Sequence, residues 1–353
     1  MRLALSGVVV LLYPIVAVFQ TLSAADVAPG SDLARWTSVW QDPVAEATIR
    51  RLAADIDAQQ IRTHLFHLAK DPLPYRKLNR TLPGHSKNTL AEADDYLAGQ
   101  LAAWGYHVER EEVRVQAFRR DTRKPLHAQY SPPQPEDPWY TAANLYAEKK
   151  GNRHPEEILL FVAHKDSQSW IDSPGANDNA IGTAGILEMA RVLARHAPQR
   201  TIRFLFCNEE HTPWTSVTAA ENAKSRGDNL VAIFNTDGIG VKAPDQAAAG
   251  RKTNVTAYTH EDGKPLAELM SAVNDHFAIG LEQRMVKRER PGDDDGSFVK
   301  AGYPRAVVNI GSWPYADPNY HTEGDVAELC DTANATLTMR AITAAALTID
   351  QAQ

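Results

Sequence analysis

The sequence lacks a basic stripe: 44 aspartates and glutamates outnumber 37 lysines and arginines, for a formal net charge of −7. Nucleic-acid binding requires such a stripe or patch, so that class of function has no support. No internal repeat is present, and no segment beyond the amino terminus is apolar enough to span a membrane. The chain has 353 residues, 43% of them hydrophobic, which suffices for a large core in one or two domains.

The one long apolar run lies at the amino terminus, over residues 3–19, and Arg2 precedes it. Residues 23–25, Ser-Ala-Ala, supply small side chains at the spacing of a signal-peptidase site. We therefore predict a signal peptide over residues 1–25, cleavage after Ala25 and export to the periplasm or the exterior. The alternative is an uncleaved membrane anchor, because a run of about 17 residues is near the lower limit for spanning.

Cysteine is scarce as well, with Cys207 and Cys330 the only two. In an exported protein they could form a disulfide. Cys207 ends an apolar segment, which favours a buried thiol instead. A bridge would need Cα atoms within about 7 Å, so the sequence leaves the pairing open.

Three apolar segments each end where residues able to bind metals begin: 157–163 before His164 and Asp166, 201–207 before Glu209 and Glu210, and 230–236 before Asp237. Apolar runs of this length are typical of buried parallel strands, whose carboxyl ends form the ligand-binding edge of α/β enzymes. Like charges gathered at one edge repel one another. We therefore expect a cation to hold them together.

Other segments indicate regular structure around these strands. Apolar spacing over residues 44–68 and 89–104 predicts helices, and alternation over 107–115 predicts a strand. Residues 129–140 contain four prolines and predict a surface loop between strands. Asp178 precedes a segment with one apolar helical face, so by itself it is typical of a helix N-cap.

Five motifs resemble, in content and in order, the metal motifs of the co-catalytic dizinc aminopeptidases, zinc exopeptidases related to glutamate carboxypeptidase and the glutaminyl cyclases. They are His164-Lys165-Asp166-Ser167, Gly175-Ala176-Asn177-Asp178-Asn179, Glu209-Glu210, Asn235-Thr236-Asp237 and Tyr320-His321-Thr322. The resemblance covers roughly residues 45–350. It implies an α/β three-layer sandwich with a mixed, largely parallel central sheet flanked by helices, in a single zinc peptidase catalytic domain over residues 26–353.

The same resemblance implies two zinc ions per chain. Asp178 would bridge them, with His164 and Asp237 on one ion and Glu210 and His321 on the other. Imidazole and carboxylate groups suit zinc, and three protein ligands per ion leave room for a shared water or hydroxide. Two such ions can polarise a carbonyl and activate that water together.

Three further residues receive catalytic roles. Glu209 is expected to be the general base, because adjacent residues on an extended chain point in different directions and only one of the pair need face the metal. Asp166, two residues from His164, would orient that imidazole. Tyr320 resembles the family's phenol donor to the tetrahedral oxyanion, although a tyrosine beside a histidine is more often a packing residue.

Each metal-binding residue also has an ordinary structural interpretation by itself. The Glu209-Glu210 pair is typical of a solvated loop, and Asp237 before Gly-Ile-Gly is typical of a turn. His321 lies in a loop rich in proline and aspartate. Only the order of the motifs together favours the metal site.

One segment departs from the family pattern. The family often has Ser-Asp-His where this chain has Asp293, Asp294 and Asp295. We expect these to form a solvated acidic turn. The alternative is an acidic rim that attracts the free amino group of a substrate.

The resemblance predicts an exported dizinc exopeptidase that removes amino-terminal residues, with a free-amine peptide as its partner and no nucleic-acid or stable membrane partner. Alternatives are a glutaminyl cyclase-like zinc acyltransferase, a carboxypeptidase or dipeptidase of the same family, and a non-catalytic binding ectodomain. The binding ectodomain should have lost ligands or the base, whereas this chain keeps them. Side-chain specificity and oligomeric state do not follow from the sequence.

Overall fold

The computed structural model describes residues 30–352, so the predicted signal peptide over residues 1–25 lies outside the described part. The α-helices of this part are α1 (Asp32–Thr37), α2 (Pro43–Ala54), α3 (Ala58–Ala69), α4 (Thr89–Ala103), α5 (Ile181–Leu193), α6 (Thr215–Arg226), α7 (Pro244–Ala248), α8 (Lys264–His276), α9 (Asp293–Ala301) and α10 (Thr332–Gln351). Among the described helices, none has both the length and the apolar character needed to cross a bilayer.

The strands are β1 (Val108–Ala117), β2 (Arg119–Arg120), β3 (Tyr130–Ser131), β4 (Trp139–Lys149), β5 (His154–His164), β6 (Arg200–Cys207), β7 (His211–Thr212), β8 (Asn229–Thr236), β9 (Thr253–Tyr258), β10 (Glu282–Lys287) and β11 (Ala306–Ile310). Nine of them form one sheet in the order β10-β9-β11-β8-β5-β6-β4-β1-β7. The central strands β11, β8, β5 and β6 run parallel, and β4, β1 and β7 continue antiparallel. The predicted mixed α/β sheet is confirmed.

Strand β5 shows why the sheet is covered on both faces. Leu159 and Phe161 belong to the larger core, whereas Leu160 and Val162 belong to a second core on the opposite face. Alternating side chains that are apolar throughout require helices on both sides. Helices α2, α3, α5 and α10 pack together over the larger core, and α6 packs with α9 over the other.

Several local predictions are refined by the structure. The predicted helical region 44–68 is two helices, because the Asp57 side chain accepts hydrogen bonds from the amides of Gln59 (2.6 Å) and Gln60 (3.0 Å) and begins α3 anew. The predicted strand 107–115 corresponds to β1. The proline-rich region 129–140 is mostly loop, but it contains β3 and the start of β4.

Cys207 and Cys330 are free and buried. Cys207 lies in the core beneath α6 and α9, while Cys330 lies in the larger core. The sheet separates the two thiols, so the disulfide alternative is wrong and the buried-thiol interpretation is confirmed.

Candidate metal centre

The predicted strand-end residues meet at one edge of the sheet. His164 is the last residue of β5, Glu209 and Glu210 follow β6, and Asp237 follows β8. Because β5 lies between β6 and β8 and runs parallel to both, its end aligns with theirs; His164 is in register with Cys207.

Asp178 lies in a helical turn, Ala176–Ala180, just before α5. Its backbone is not helical, the N-cap residue of α5 is Ala180, and the side chain that accepts from the first turn is that of Asn179, whose Oδ1 lies 3.0 Å from the Gly182 amide. The N-cap interpretation of Asp178 is therefore wrong. Gly175 begins the turn with φ of 55°, and a Cβ there would lie 2.5 Å from the Asp178 carbonyl oxygen, so glycine is required.

Two trios of side chains result, and Asp178 belongs to both. In the first trio, His164 Nε2 lies 3.1 Å from Asp178 Oδ1 and 3.7 Å from Asp237 Oδ1. In the second trio, His321 Nε2 lies 3.2 Å from both Asp178 Oδ2 and Glu210 Oε1. Within each trio the possible ligand atoms lie within 4.8 Å of one another.

The charges of the trios call for a cation. Burial lowers the pKa of His321, but Glu210 and Asp178 outweigh it and raise that pKa to about 11. Burial likewise opposes protonation of His164, yet Asp237 and the neighbouring carboxylates raise its pKa well above 6.5. Carboxylates that hold protons on imidazoles this strongly would gain more from divalent ions. The donor set of imidazole and carboxylate fits zinc.

Asp166 is fully buried and ties the centre together. Its Oδ1 accepts from His164 Nδ1 at 3.3 Å and from the Glu209 amide at 2.9 Å. Its Oδ2 accepts from the Glu210 amide at 2.9 Å and from His211 Nδ1 at 2.8 Å. Burial raises the pKa of Asp166, but these two imidazoles lower it far below its usual value, so the carboxylate stays ionised.

Glu209 has the properties of a proton acceptor. Its Oε2 is buried without a hydrogen-bond partner among the described residues. Burial, and after it the charge of Asp294, raise the pKa of Glu209 well above 4.5. A carboxyl whose pKa is raised above its usual range is suited to accept a proton and return it.

His321 reaches the second trio from the loop that follows β11. It adopts a left-handed backbone with φ of 57°, and its Nδ1 donates to the carbonyl oxygen of His127 at 2.9 Å. The Tyr320 ring stacks on the His321 ring at 3.7 Å between centroids. Burial and the charges of Asp178 and Glu210 raise the pKa of Tyr320 well above 10, so its phenol keeps the proton that an oxyanion donor needs.

Residues 144–346 match the model of a protein family described as Peptidase family M28. This range includes every residue of both trios. This chain belongs to Peptidase family M28. The resemblance seen in the sequence is thereby confirmed at the level of the family.

Curated relatives of this M28 chain include a probable zinc metalloprotease of Pyrenophora teres f. teres, 28% identical over 198 residues, which are 46% of this chain and 41% of that protein. A probable zinc metalloprotease of Leptosphaeria maculans is 26% identical over 70% of this chain and 56% of its own length. The chain therefore spans about half the length of these relatives.

Solved structures share the fold. A leucine aminopeptidase precursor from Bacteroides thetaiotaomicron has a TM-score of 0.63 at 17% identity, over 84% of this chain and 98% of that one. A glutaminyl cyclase from the same organism has a TM-score of 0.62 at 17% identity, with the same coverage. Legionella pneumophila LapA aminopeptidase has a TM-score of 0.64 at 17% identity, over 87% of this chain and 75% of that one.

The structure of this M28 chain adds Gln168, which sequence reasoning missed. Its Nε2 donates to Asp178 Oδ2 at 2.8 Å and to Glu210 Oε1 at 2.9 Å, the two oxygens that also face His321. Gln168 is fully buried. It therefore holds both carboxylates of the second trio, and nothing in its local sequence distinguishes it.

Asp325 and Arg76 are two more supports that the sequence did not reveal. The Asp325 carboxylate accepts from the amides of Asn177 (2.7 Å) and Asp178 (3.0 Å) and so fixes the turn. The buried Arg76 guanidinium donates to the carbonyl oxygens of Leu68, Lys165, Pro174 and Gly175 at 2.6–2.7 Å. These contacts hold the loop between His164 and Asp178 to the body of the protein.

The acidic segment is not a solvated turn, so that prediction is wrong. Asp293 begins α9, and Asp294 and Asp295 are 0% exposed. Arg288 Nη1 donates to Asp293 Oδ2 at 2.6 Å, and the same guanidinium pairs with Asp295. Burial of the apolar residues that follow the aspartates places the first turn of α9 inside the protein. Arg288 compensates part of the buried negative charge.

Proposed function

We propose that this M28 chain is a zinc-dependent exopeptidase that hydrolyses the amino-terminal residue of peptides, with one zinc ion in each trio. The observation that carries the proposal is the position of Asp178, which offers one oxygen to each trio. Zinc ions held by the two trios would activate a water molecule and polarise the substrate carbonyl. The names of the relatives, probable zinc metalloproteases and a leucine aminopeptidase precursor, support this assignment.

The protein's own groups divide the remaining work. Glu209 takes a proton from the attacking water and passes it to the leaving nitrogen. Asp166 keeps His164 in the orientation and tautomer that would leave Nε2 free to hold a zinc ion in the first trio. Tyr320 donates its phenol proton in a hydrogen bond to the oxyanion that forms on the substrate.

A substrate with a free amino group is favoured by the charges around the centre. Asp293 is partly exposed, and its charge contributes to the raised pKa of both Glu209 and Asp237. Of the nearby basic residues, Arg288 is buried between Asp293 and Asp295 and so is occupied, whereas Arg290 and Lys300 are exposed to solvent. The field at the rim therefore attracts an ammonium group and repels a carboxylate.

The first test compares modified peptides. Acetylation of the amino terminus should abolish cleavage of a good substrate, whereas amidation of the carboxyl terminus should be tolerated. Release of the last residue from the acetylated peptide would replace the aminopeptidase assignment with carboxypeptidase action and leave the zinc chemistry intact.

The second test separates the base from the metal ligands. Glu209→Gln should lower kcat by about 10²–10⁴, the usual range for a lost general base, and should keep both zinc ions. Glu221→Gln, an exposed glutamate on α6, is the matched control and should change neither. Full turnover in Glu209→Gln would remove Glu209 from the mechanism.

The glutaminyl cyclase neighbour, which fits with nearly the same TM-score as the aminopeptidase precursor, makes acyl transfer the second candidate. Elemental analysis distinguishes the two. We expect two zinc ions per active chain; a fully active protein with one zinc ion that cyclises amino-terminal glutamine would establish the cyclase.

Export is part of the proposal and rests on residues 1–25. The mature protein should begin near Asp26 and lie outside the cytoplasm. Amino-terminal sequencing of the native protein checks this, and a membrane-bound product that begins at Met1 or Arg2 would indicate an anchor.

A further inference from the structure

His211 is fully buried at the first residue of β7, directly after the Glu209-Glu210 pair. Its backbone is held by the sheet, because β7 pairs with β1 through Ala117↔His211. Both ring nitrogens face polar groups of other segments: Nδ1 lies 2.8 Å from Asp166 Oδ2, and Nε2 lies 3.3 Å from the amide nitrogen of Leu78. The imidazole therefore joins three parts of the chain beside the metal centre.

The two contacts fix the tautomer of the His211 ring. A backbone N–H can only donate, so the Leu78 amide requires an acceptor at Nε2, and Nε2 must carry no proton. The single ring proton then lies on Nδ1, from which it is donated to Asp166. His211 is therefore a hydrogen-bond donor to the carboxylate, and the backbone at Leu78 sets that role.

The segment that contains Leu78 is itself fixed to the loop that carries Asp166. The Arg76 amide donates to Ser167 Oγ at 2.9 Å, and the Ser167 amide donates to the Arg76 carbonyl oxygen at 2.9 Å. Ser167 follows Asp166 directly in the chain. A shift of the imidazole relative to the carboxylate would therefore break contacts on both sides of the ring.

The hydrogen bonds that Asp166 accepts differ in length. The bond from His211 is the shortest at 2.8 Å, the amides of Glu209 and Glu210 follow at 2.9 Å, and the bond from His164 is the longest at 3.3 Å. Among the described residues, Asp166 Oδ2 has two donors, the Glu210 amide and His211. A long bond can orient His164 only if the carboxylate is itself held firmly, and His211 supplies the one side-chain donor that holds Oδ2.

We propose that His211 is a positioning residue for the first trio: it holds Asp166 in the place from which Asp166 orients His164 toward a zinc ion. In the described part of the chain, no hydrogen bond joins the His211 ring to a side chain of either trio, so its effect passes through Asp166. The inference rests on the proposed zinc-dependent function and adds a residue on which the affinity of the first ion depends.

Two amide variants separate the two contacts of the ring. In His211→Asn, the side-chain nitrogen lies near the place of Nδ1 and can donate to Asp166, but the acceptor for Leu78 is lost. In His211→Gln, the amide reaches the place of Nε2 and can accept from Leu78, but the donor to Asp166 is lost. The asparagine variant should therefore keep the zinc affinity of the first trio, and the glutamine variant should lose about 10–100-fold, the usual effect of removing an outer partner of a metal-binding histidine.

Competition with a chelator of known affinity measures both zinc constants, and the constant lost in Asp237→Ala identifies the first trio. His64→Leu is the matched control for His211→Leu. His64 is also buried, at 3% exposed, and its Nδ1 lies 2.6 Å from Tyr96 Oη, between α3 and α4. Both leucine variants should lower the Tm of the metal-free protein, but only His211→Leu should weaken zinc binding at the first trio, again by about 10–100-fold.

The outcomes separate the positioning role from a general structural role and from the function beneath it. Unchanged zinc affinity in His211→Gln, or an equal loss in His211→Asn and His211→Gln, would overturn the positioning role and leave the zinc site intact. A wild-type protein that binds no zinc would instead overturn the proposed function, and the inference with it.

Discussion

The two trios of the candidate metal centre share Asp178, but their histidines are positioned by different kinds of structure. The first trio takes His164 and Asp237 from the ends of two adjacent parallel strands at the middle of the sheet. The second takes His321 from the loop beyond β11, where the backbone of His321 itself is left-handed. Strand ends are positioned by the whole sheet, whereas a loop ligand depends on local contacts.

The partners of the two imidazoles differ in the same way. His164 Nδ1 faces Asp166, a fully buried carboxylate. His321 Nδ1 donates to the backbone carbonyl of His127, which lies in the arm, the segment 118–138 between β1 and β4, where no residue is buried. The hydrogen-bond partner of a metal-binding histidine sets the orientation of its ring. Zinc binding at the second trio should therefore be the more easily perturbed of the two.

The largest effect should come from the shared ligand. Asp178→Ala removes one oxygen from each trio and should leave no firmly bound zinc and no activity. Asp237→Ala affects only the first trio and should keep one zinc ion. Elemental analysis after dialysis measures both, and two ions retained in Asp178→Ala would show that the trios do not share this ligand.

Deletion of the arm should weaken zinc binding at the second trio only. Gln116 pairs with Trp139 across β1 and β4, so an Asn-Gly turn in place of residues 119–136 can close the shortened hairpin. Without the His127 carbonyl, affinity for the second zinc ion should fall about 10–100-fold, and affinity for the first should not change. Competition with a chelator of known affinity gives both constants.

His127→Ala is the control for that experiment, because it removes the side chain and keeps the carbonyl. It should bind both ions as the wild type does. An equal loss for both ions in the shortened chain would mean that the arm stabilises the fold in general rather than the second trio.

A smaller effect is expected from Gln168→Leu. The variant removes two amide hydrogen bonds to the carboxylates of the second trio and should weaken the second zinc ion about tenfold, or about 1.4 kcal/mol. Gln283→Leu, on the edge strand β10, is the control. Tighter zinc binding in Gln168→Leu would show that the amide competes with the metal for these oxygens.

The smallest expected effect is a difference in the number of protons released when zinc binds. Without zinc, the pKa of His321 is raised to about 11, so the protonated imidazole stabilises the apo fold below its unfolded pKa, and this stabilisation is lost as the pH rises through about 11. At pH 8 zinc must displace that proton, so zinc affinity should rise with pH. Calorimetry of zinc binding in buffers of different ionisation enthalpy should show that His321→Ala releases about one proton fewer than the wild type. Equal release by both proteins would contradict the raised pKa.

The members of both trios could be predicted from the sequence because they follow apolar strands or stand in motifs. Sequence reasoning missed Gln168, Asp325 and Arg76, each of which has at least one partner far away in the chain; the Arg76 side chain, for example, donates to a carbonyl 99 residues later. A glutamine or an arginine carries no local signal of such a contact.

The acidic segment shows the opposite error. Three consecutive aspartates are typical of a solvated turn, yet two of them are buried. Local sequence describes charge but not what surrounds it, and here Arg288 and the packing of α9 on the sheet supply the surroundings.

The sequence by itself determined the sheet and the edge at which the trio residues meet, because apolar segments of strand length must be buried and their polar continuations must then emerge together. Only the tertiary structure decided how the second trio is supported and what lies beside it. Nothing in residues 118–138 or in the loop around His321 has a periodicity that predicts their meeting. Their contact depends on the path of the folded chain, which brings a carbonyl at position 127 within 2.9 Å of an imidazole 194 residues later.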